Sequence, residues 1–98
     1  MIMKTLLALL TLTAILGAAD GSALYSKCAA CHGTKGEKAA LGKSEVIAGW
    51  SSTKTLDALK AYKAGTRNTK GMGAIMKGQT ATLNDADMNT LSEYIAKL

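Results

Sequence analysis

The chain has 98 residues, which indicates a single domain. It carries 12 basic and 7 acidic residues, a formal charge of +5, but no cluster of basic and aromatic side chains that would favour nucleic acid as a partner. Large apolar side chains are scarce, with no Phe, one Trp and three Tyr. A small chain with so few of them is near the limit at which a core alone stabilises a fold. We therefore expect a bound group to fill its middle.

Residues 1–19 have the three-part pattern of a secretory signal peptide. Lys4 supplies the positive charge, the uncharged apolar run from Leu6 to Ala18 is 13 residues long, and small residues precede the expected cleavage site. This run is shorter than the ~20 residues that span a bilayer. We predict cleavage after Ala19 and a periplasmic mature domain of residues 20–98, with a net charge of +4 and no stable membrane anchor. An uncleaved N-terminal anchor is the alternative.

The mature chain shows helical periodicity and no strand pattern, so an all-α domain is predicted. The first helix is expected from Gly21 to Cys31, with Gly33 ending it. A second helix is expected to start at a Ser52 or Thr53 cap and to end at Gly65.

The Gly-punctuated stretch 66–82 is predicted to be a loop. Asn84 is placed to cap the last helix, in which Met88, Leu91, Ile95 and Leu98 share one face.

The pentapeptide CAACH, residues 28–32, contains both cysteines and the only histidine of the chain. C-x-x-C-H is the attachment sequence of a c-type haem. Cysteines at i and i+3 lie on one side of a helical turn, where Cys28 and Cys31 can form thioethers with the two vinyl groups of one haem. His32 is then carried under the iron as the proximal axial ligand. We predict one covalent haem c per chain.

Three other uses of these cysteines are the alternatives. A structural zinc site needs four ligands, and this cluster offers three. A thioredoxin-like CxxC normally stands at a helix start beside a strand. A plain disulfide is common in exported proteins but would not fill the core.

With a single histidine, the second axial position of the iron is open or is filled by another residue type. A methionine thioether is the usual partner in electron-carrying cytochromes and raises the potential. Met88 lies on the core face of the last helix, which favours packing. Met72 and Met76 both lie in the Gly-rich stretch, and residue spacing alone does not separate them.

The mature chain resembles the small bacterial class I cytochromes c of the c-553 type nearly end to end. The similarity lies in DGSALYSKCAACHG, KAALGKS, LKAYKAG and the closing segment LNDADMNTLSEYIAKL. The resemblance implies the class I cytochrome c fold, with crossing N- and C-terminal helices around the haem. In this family the distal methionine stands seven residues before the residue that opens the last helix, and counting back from Leu83 gives Met76, with Met72 as the runner-up.

The chain departs from the family in two places. It has no proline after the haem motif, near the carbonyl that holds the proximal imidazole, and we expect that carbonyl between Glu37 and Gly42. The usual pair of aromatic residues between the first and last helices is replaced by Leu24 or Tyr25 against Tyr94.

Polar side chains outside the motif are candidates for contact with the haem propionates or with a partner protein. Trp50, Tyr62 and Arg67 are possible propionate donors, although packing or surface roles explain each of them equally well. The lysines at positions 27, 35, 38 and 77 bracket the expected haem edge, where they form either a docking face or ordinary solubilising charge.

The expected function is single-electron transfer in the periplasm, without an enzymatic activity. A donor and an acceptor protein, such as a terminal oxidase, a reductase or a dehydrogenase, are implied, and we expect a monomer. A gas-binding or peroxidatic haem protein with an open iron face, and a docked subunit of a larger redox complex, are the alternatives.

Overall fold

The computed structural model describes residues 20–98, and the predicted signal peptide lies outside the described residues. This part of the chain contains four α-helices and no strands, in agreement with the predicted all-α class. We label the helices α1 (Gly21–His32), α2 (Ser52–Ala64), α3 (Gly73–Thr80) and α4 (Asp85–Ala96). Short 3₁₀ turns span Ala40–Gly42 and Thr69–Gly71. Within this part, no helix is both long and apolar enough to cross a membrane.

Local hydrogen bonds define where the helices begin. Asp20, the first residue of the predicted mature domain, caps α1 by accepting from the Ala23 N–H at 2.8 Å, and this bond is the main cause of the lowered pKa of its carboxyl. Asn84 caps α4 as predicted, in a reciprocal arrangement with Asp87. The predicted Ser52 or Thr53 cap of α2 is wrong by one residue, since Ser51 accepts the Lys54 N–H at 3.1 Å.

The prediction of a loop for residues 66–82 is wrong, because α3 occupies its second half. The Asn68 side chain accepts the Gly73 N–H at 2.8 Å, which satisfies one of the unpaired donors at the helix start. The α3 helix packs on α2, which supplies tertiary support that local propensity does not.

The first and last helices cross in close contact, as the resemblance implies. The rings of Tyr25 and Tyr94 lie 5.5 Å apart between their centroids, which confirms the expected replacement of the family's aromatic pair. Tyr25, Leu83, Met88, Leu91 and Ile95 belong to the buried apolar cluster at this crossing.

Gly21 allows α1 to approach α4, and we expect Gly21→Ala to destabilise the protein. A Cβ at this position would lie 2.5 Å from Tyr94 Cβ, so one helix would have to shift. Overpacking of this kind typically costs about 1–3 kcal/mol. Thermal unfolding of the haem-bound protein measures the effect.

Gly78→Ala is the matched control for this prediction. Gly78 lies within α3 with nothing within 4 Å of an added Cβ, so the better helix propensity of alanine should stabilise by about 0.5–1 kcal/mol. Equal losses in the two variants would contradict the close approach of α1 and α4.

Candidate haem site

The CAACH motif forms the last turn of α1, as its spacing predicts. Cys28 is half-buried and Cys31 is exposed, and both are free thiols. Burial is the main cause of the raised pKa of the Cys28 thiol. His32 is the last residue of the helix and is buried. Both thiols and the imidazole therefore belong to one helix end.

The backbone that follows the motif is held by hydrogen bonds to α1. The buried Tyr25 hydroxyl donates to the Gly33 carbonyl at 2.6 Å, and the Lys38 N–H donates to the His32 carbonyl at 2.9 Å. Gly33 has a φ of 87°, in the left-handed region that favours glycine. These contacts turn the chain away from α1 directly after His32.

Tyr25→Phe is expected to lower stability by about 0.5–1.5 kcal/mol, because it removes one of the two hydrogen bonds to the Gly33 carbonyl and leaves only the Gly36 N–H at 3.2 Å. The contact between the two rings is retained, so the hydrogen bond alone is removed. Tyr94→Phe is the control, since the Tyr94 hydroxyl makes no hydrogen bond to the described residues and the ring pair is again kept. Equal thermal stability of the two variants would show that the Tyr25 hydroxyl contributes nothing.

The His32 imidazole is available as a metal ligand. Its Nδ1 is buried and has no hydrogen-bond partner among the described residues. Burial lowers the pKa of the imidazole, which favours the neutral form that binds metals. In the described residues, no carbonyl between Glu37 and Gly42 accepts a hydrogen bond from the His32 imidazole. The predicted carbonyl partner of His32 therefore stays a prediction.

Two apolar clefts adjoin the motif. The first, the α2 cleft, encloses about 520 Å³, part of it open to solvent. Its walls come from all four helices and from the segment between the first two. The lining residues are Cys28, His32, Ser44, Ile47, Trp50, Thr55, Ala58, Leu59, Tyr62, Met76, Leu91 and Ile95.

The second, the α3 cleft, has a volume of about 440 Å³, part of it open to solvent. Its lining residues are Lys27, Cys28, Cys31, His32, Ala40, Leu41, Met72, Ile75, Met76 and Gln79. Two of its apolar side chains are unusually exposed, Leu41 at 59% and Ile75 at 47%. Leu41 also has a φ of 55°, an uncommon conformation for a non-glycine residue. An apolar group bound in the cleft would cover these side chains.

Three residues line both clefts: Cys28, His32 and Met76. The two predicted candidates for the distal ligand differ here. Met76 is half-buried on α3 and lines both clefts, whereas Met72 is 4% exposed and lines the α3 cleft alone. Met88 is buried in the core and lines neither cleft, which agrees with its predicted packing role.

The predicted propionate donors lie at or near the α2 cleft. Trp50 and Tyr62 line it, and the Lys54 ammonium lies 4.1 Å from the Trp50 ring. The Arg67 guanidinium lies 5.3 Å from the Tyr62 ring, and its buried Nε has no hydrogen-bond partner in the described part of the chain. An indole N–H, a phenol and a guanidinium are suitable donors to carboxylates.

These residues fit a haem. The clefts offer mainly apolar walls, two free thiols at one edge and an imidazole with an unpartnered buried nitrogen. A methionine faces the same space. Residues 20–98 contain no group of three or more His, Cys, Asp and Glu side chains that could hold a metal ion on their own. The four-ligand zinc site considered above is therefore not formed by this part of the chain.

Comparison with known proteins agrees with this fit. The family model for cytochrome c matches residues 18–98. The chain is 38% identical over 92 residues to cytochrome c-553 of Helicobacter pylori strain J99, which covers 94% of this chain and 92% of that protein. It is 31% identical over 103 residues to cytochrome c-553 of Nitratidesulfovibrio vulgaris, covering 98% and 100%. It is also 38% identical over 89 residues to cytochrome c-554(547) of Halothiobacillus neapolitanus, covering 83% and 96%.

The chain belongs to the cytochrome c family and is a class I c-type cytochrome with covalently bound haem c. Within the family it is of the small c-553 type, a monohaem electron carrier.

Three lysine contacts at or near the site were not predicted from the sequence. Lys27, expected at a docking face, donates to the Gln79 carbonyl at 2.8 Å, and Lys63 donates to the Leu83 carbonyl. Lys77, also expected there, lies against Gly65 at the C-terminal end of α2, where a cation is favoured. The acceptors of Lys27 and Lys63 are backbone carbonyls of residues distant in sequence. No residue pattern identifies such carbonyls.

Proposed function

We propose that the chain is an exported carrier of single electrons in the periplasm and that both axial positions of its iron are filled. In this proposal Cys28 and Cys31 hold the haem through thioethers, His32 is the proximal ligand and Met76 is the distal ligand. Haem c supplies the one-electron couple between ferric and ferrous iron, and the protein fixes its ligation, surroundings and access.

The observation that carries the proposal is that Cys28, His32 and Met76 border the same two clefts. An imidazole and a thioether on the two sides of one iron leave no position for a substrate. The mainly apolar walls would be covered by the haem. The exposed position of Cys31 supports electron transfer at the haem edge beside it.

The visible spectrum and carbon monoxide binding test this proposal. A weak far-red band in the ferric protein reports a bond between methionine sulfur and iron. We expect this band, together with slow and weak binding of carbon monoxide to the ferrous protein at neutral pH. Quick, tight binding and no far-red band would instead favour the gas-binding or peroxidatic alternative.

Protein partners with acidic surfaces are proposed, because the predicted mature domain has a net charge of +4. Lys35 and Lys38 follow the haem motif and are exposed, which supports a weakly basic face there. Such charges act mainly on the rate of encounter.

We expect electron exchange with acidic redox proteins to slow between about 0.01 and 0.15 M salt, over which the screening length falls from roughly 30 to 8 Å. Stopped-flow kinetics at several salt concentrations measure this. An uncharged small-molecule oxidant is the control, since its rate should stay constant. A rate with the acidic protein that is flat or rises with salt would contradict the docking face.

Purification of the protein only as part of a larger complex would favour the alternative of a docked subunit.

A further inference from the structure

Two lysine ammonium groups hold the end of α3 and its connection to α4. Lys27 Nζ, from α1, donates to the Gln79 carbonyl at 2.8 Å and lies 3.4 Å from Thr82 Oγ1. Lys63 Nζ, from α2, donates to the Leu83 carbonyl and is partly buried. We call Lys27 and Lys63 the ammonium pair.

The bond from Lys27 spans the α3 cleft. Lys27, in the middle of α1, and Gln79, in the last turn of α3, both line this cleft, and these two helices are not among the closely packed pairs. One of these helices carries Cys28 and His32, and the other carries Met76. The Lys27 contact therefore fixes the separation between the haem-attachment helix and the methionine helix.

The acceptor of Lys27 lies at the C-terminal end of α3, where carbonyls carry a partial negative charge and lack partners within the helix. The acceptor of Lys63 lies beyond α3, in the connection to α4. A hydrogen bond from an ammonium group to a carbonyl is stronger than one between neutral groups. The Thr80 hydroxyl donates to the Met76 carbonyl at 2.9 Å, so the same helix end is also bonded to the Met76 backbone.

We propose that Lys27 and Lys63 are positioning residues for Met76, because their bonds to the Gln79 and Leu83 carbonyls hold α3 against the haem-binding clefts. This inference rests on the proposed ligation by Met76. Loss of either ammonium group lets α3 move outward more often, and the sulfur then leaves the iron while the helices stay folded.

The test uses Lys27→Met and Lys63→Met in the full haem-bound protein. Lys60→Met is the matched control, since Lys60 is exposed on α2, makes no side-chain hydrogen bond to the described residues and carries the same charge. Lys27→Arg restores a cationic donor. The readouts are the rate of carbon monoxide binding to the ferrous protein and the temperature at which the ferric far-red band disappears, compared with loss of far-UV circular dichroism.

We expect each Lys→Met variant of the ammonium pair to bind carbon monoxide about tenfold faster than wild type, equivalent to about 1.4 kcal/mol in the barrier. The far-red band should disappear below the temperature at which the helices melt. Lys60→Met should match wild type, and Lys27→Arg should recover most of the wild-type rate.

Rates in Lys27→Met and Lys63→Met equal to those in Lys60→Met would overturn the positioning role. Joint loss of the band and the helical signal at one lower temperature, with an unchanged carbon monoxide rate, would do the same and would indicate a general structural role. If Lys27→Met does not attach haem, Lys63→Met decides alone, since Lys63 lies outside the haem motif. Retention of the band in Met76→Ala would instead refute the underlying ligation, whatever the lysine variants do.

Discussion

Met76→Ala should abolish the ferric far-red band, lower the potential and open the ferrous iron to carbon monoxide. Met76 lines both clefts beside His32. In the proposed ligation, removal of its sulfur would leave one face of the iron without a protein ligand. We expect the potential to fall by on the order of 0.1 V, within the ~0.8 V over which axial ligands set it. Absorption spectra, a redox titration and carbon monoxide binding measure the three effects.

Met72→Ala is the matched control, because Met72 lies four residues earlier and lines only the α3 cleft. It should keep the far-red band and lose about 2–5 kcal/mol of stability, as expected for truncation of a methionine that is 4% exposed. The opposite behaviour of the two variants would make Met72 the distal ligand. An unchanged spectrum in both would exclude these two methionines and favour the open-site alternative.

The double variant Cys28→Ala with Cys31→Ala should lack stable tertiary structure. Core residues Ile47, Leu59 and Leu91 themselves line the α2 cleft, so without a covalently held haem they face an empty or hydrated space. The loss is expected to be comparable to the whole stability of a small domain, roughly 5–15 kcal/mol. The coupling resembles that of small metal-binding domains, in which ligand binding supplies the folding energy.

Thermal unfolding followed by near- and far-UV circular dichroism measures this effect. Met76→Ala, which retains both thiols, is the control and should still unfold cooperatively. A cooperative transition in the colourless double variant would show that the polypeptide core is sufficient without the haem.

The features that follow from local sequence were predicted well. CAACH needs only one helical turn to place two thiols and an imidazole together, and the structure gives it that turn at the end of α1. The last helix was predicted for the same reason. Its cap at Asn84 and its apolar face, formed by Met88, Leu91 and Ile95, depend only on residues within that helix.

The features that depend on distant parts of the chain were missed. The α3 helix was predicted to be a loop because of its glycines, and its support comes from packing on α2 and from the Asn68 side chain at its start. The bond from Lys27 to the Gln79 carbonyl joins residues 52 positions apart, and every residue supplies a carbonyl. Such a contact has no sequence signature, whereas the C-x-x-C-H motif marks the two cysteines that bind the haem.

Intact mass spectrometry of the protein purified from the periplasm of a host that attaches haem measures whether the mature chain carries one covalent haem. We expect a mass equal to residues 20–98 plus one haem, with colour that acid–acetone does not extract. A chain of the same residues that carries a disulfide between Cys28 and Cys31 and no haem would contradict it.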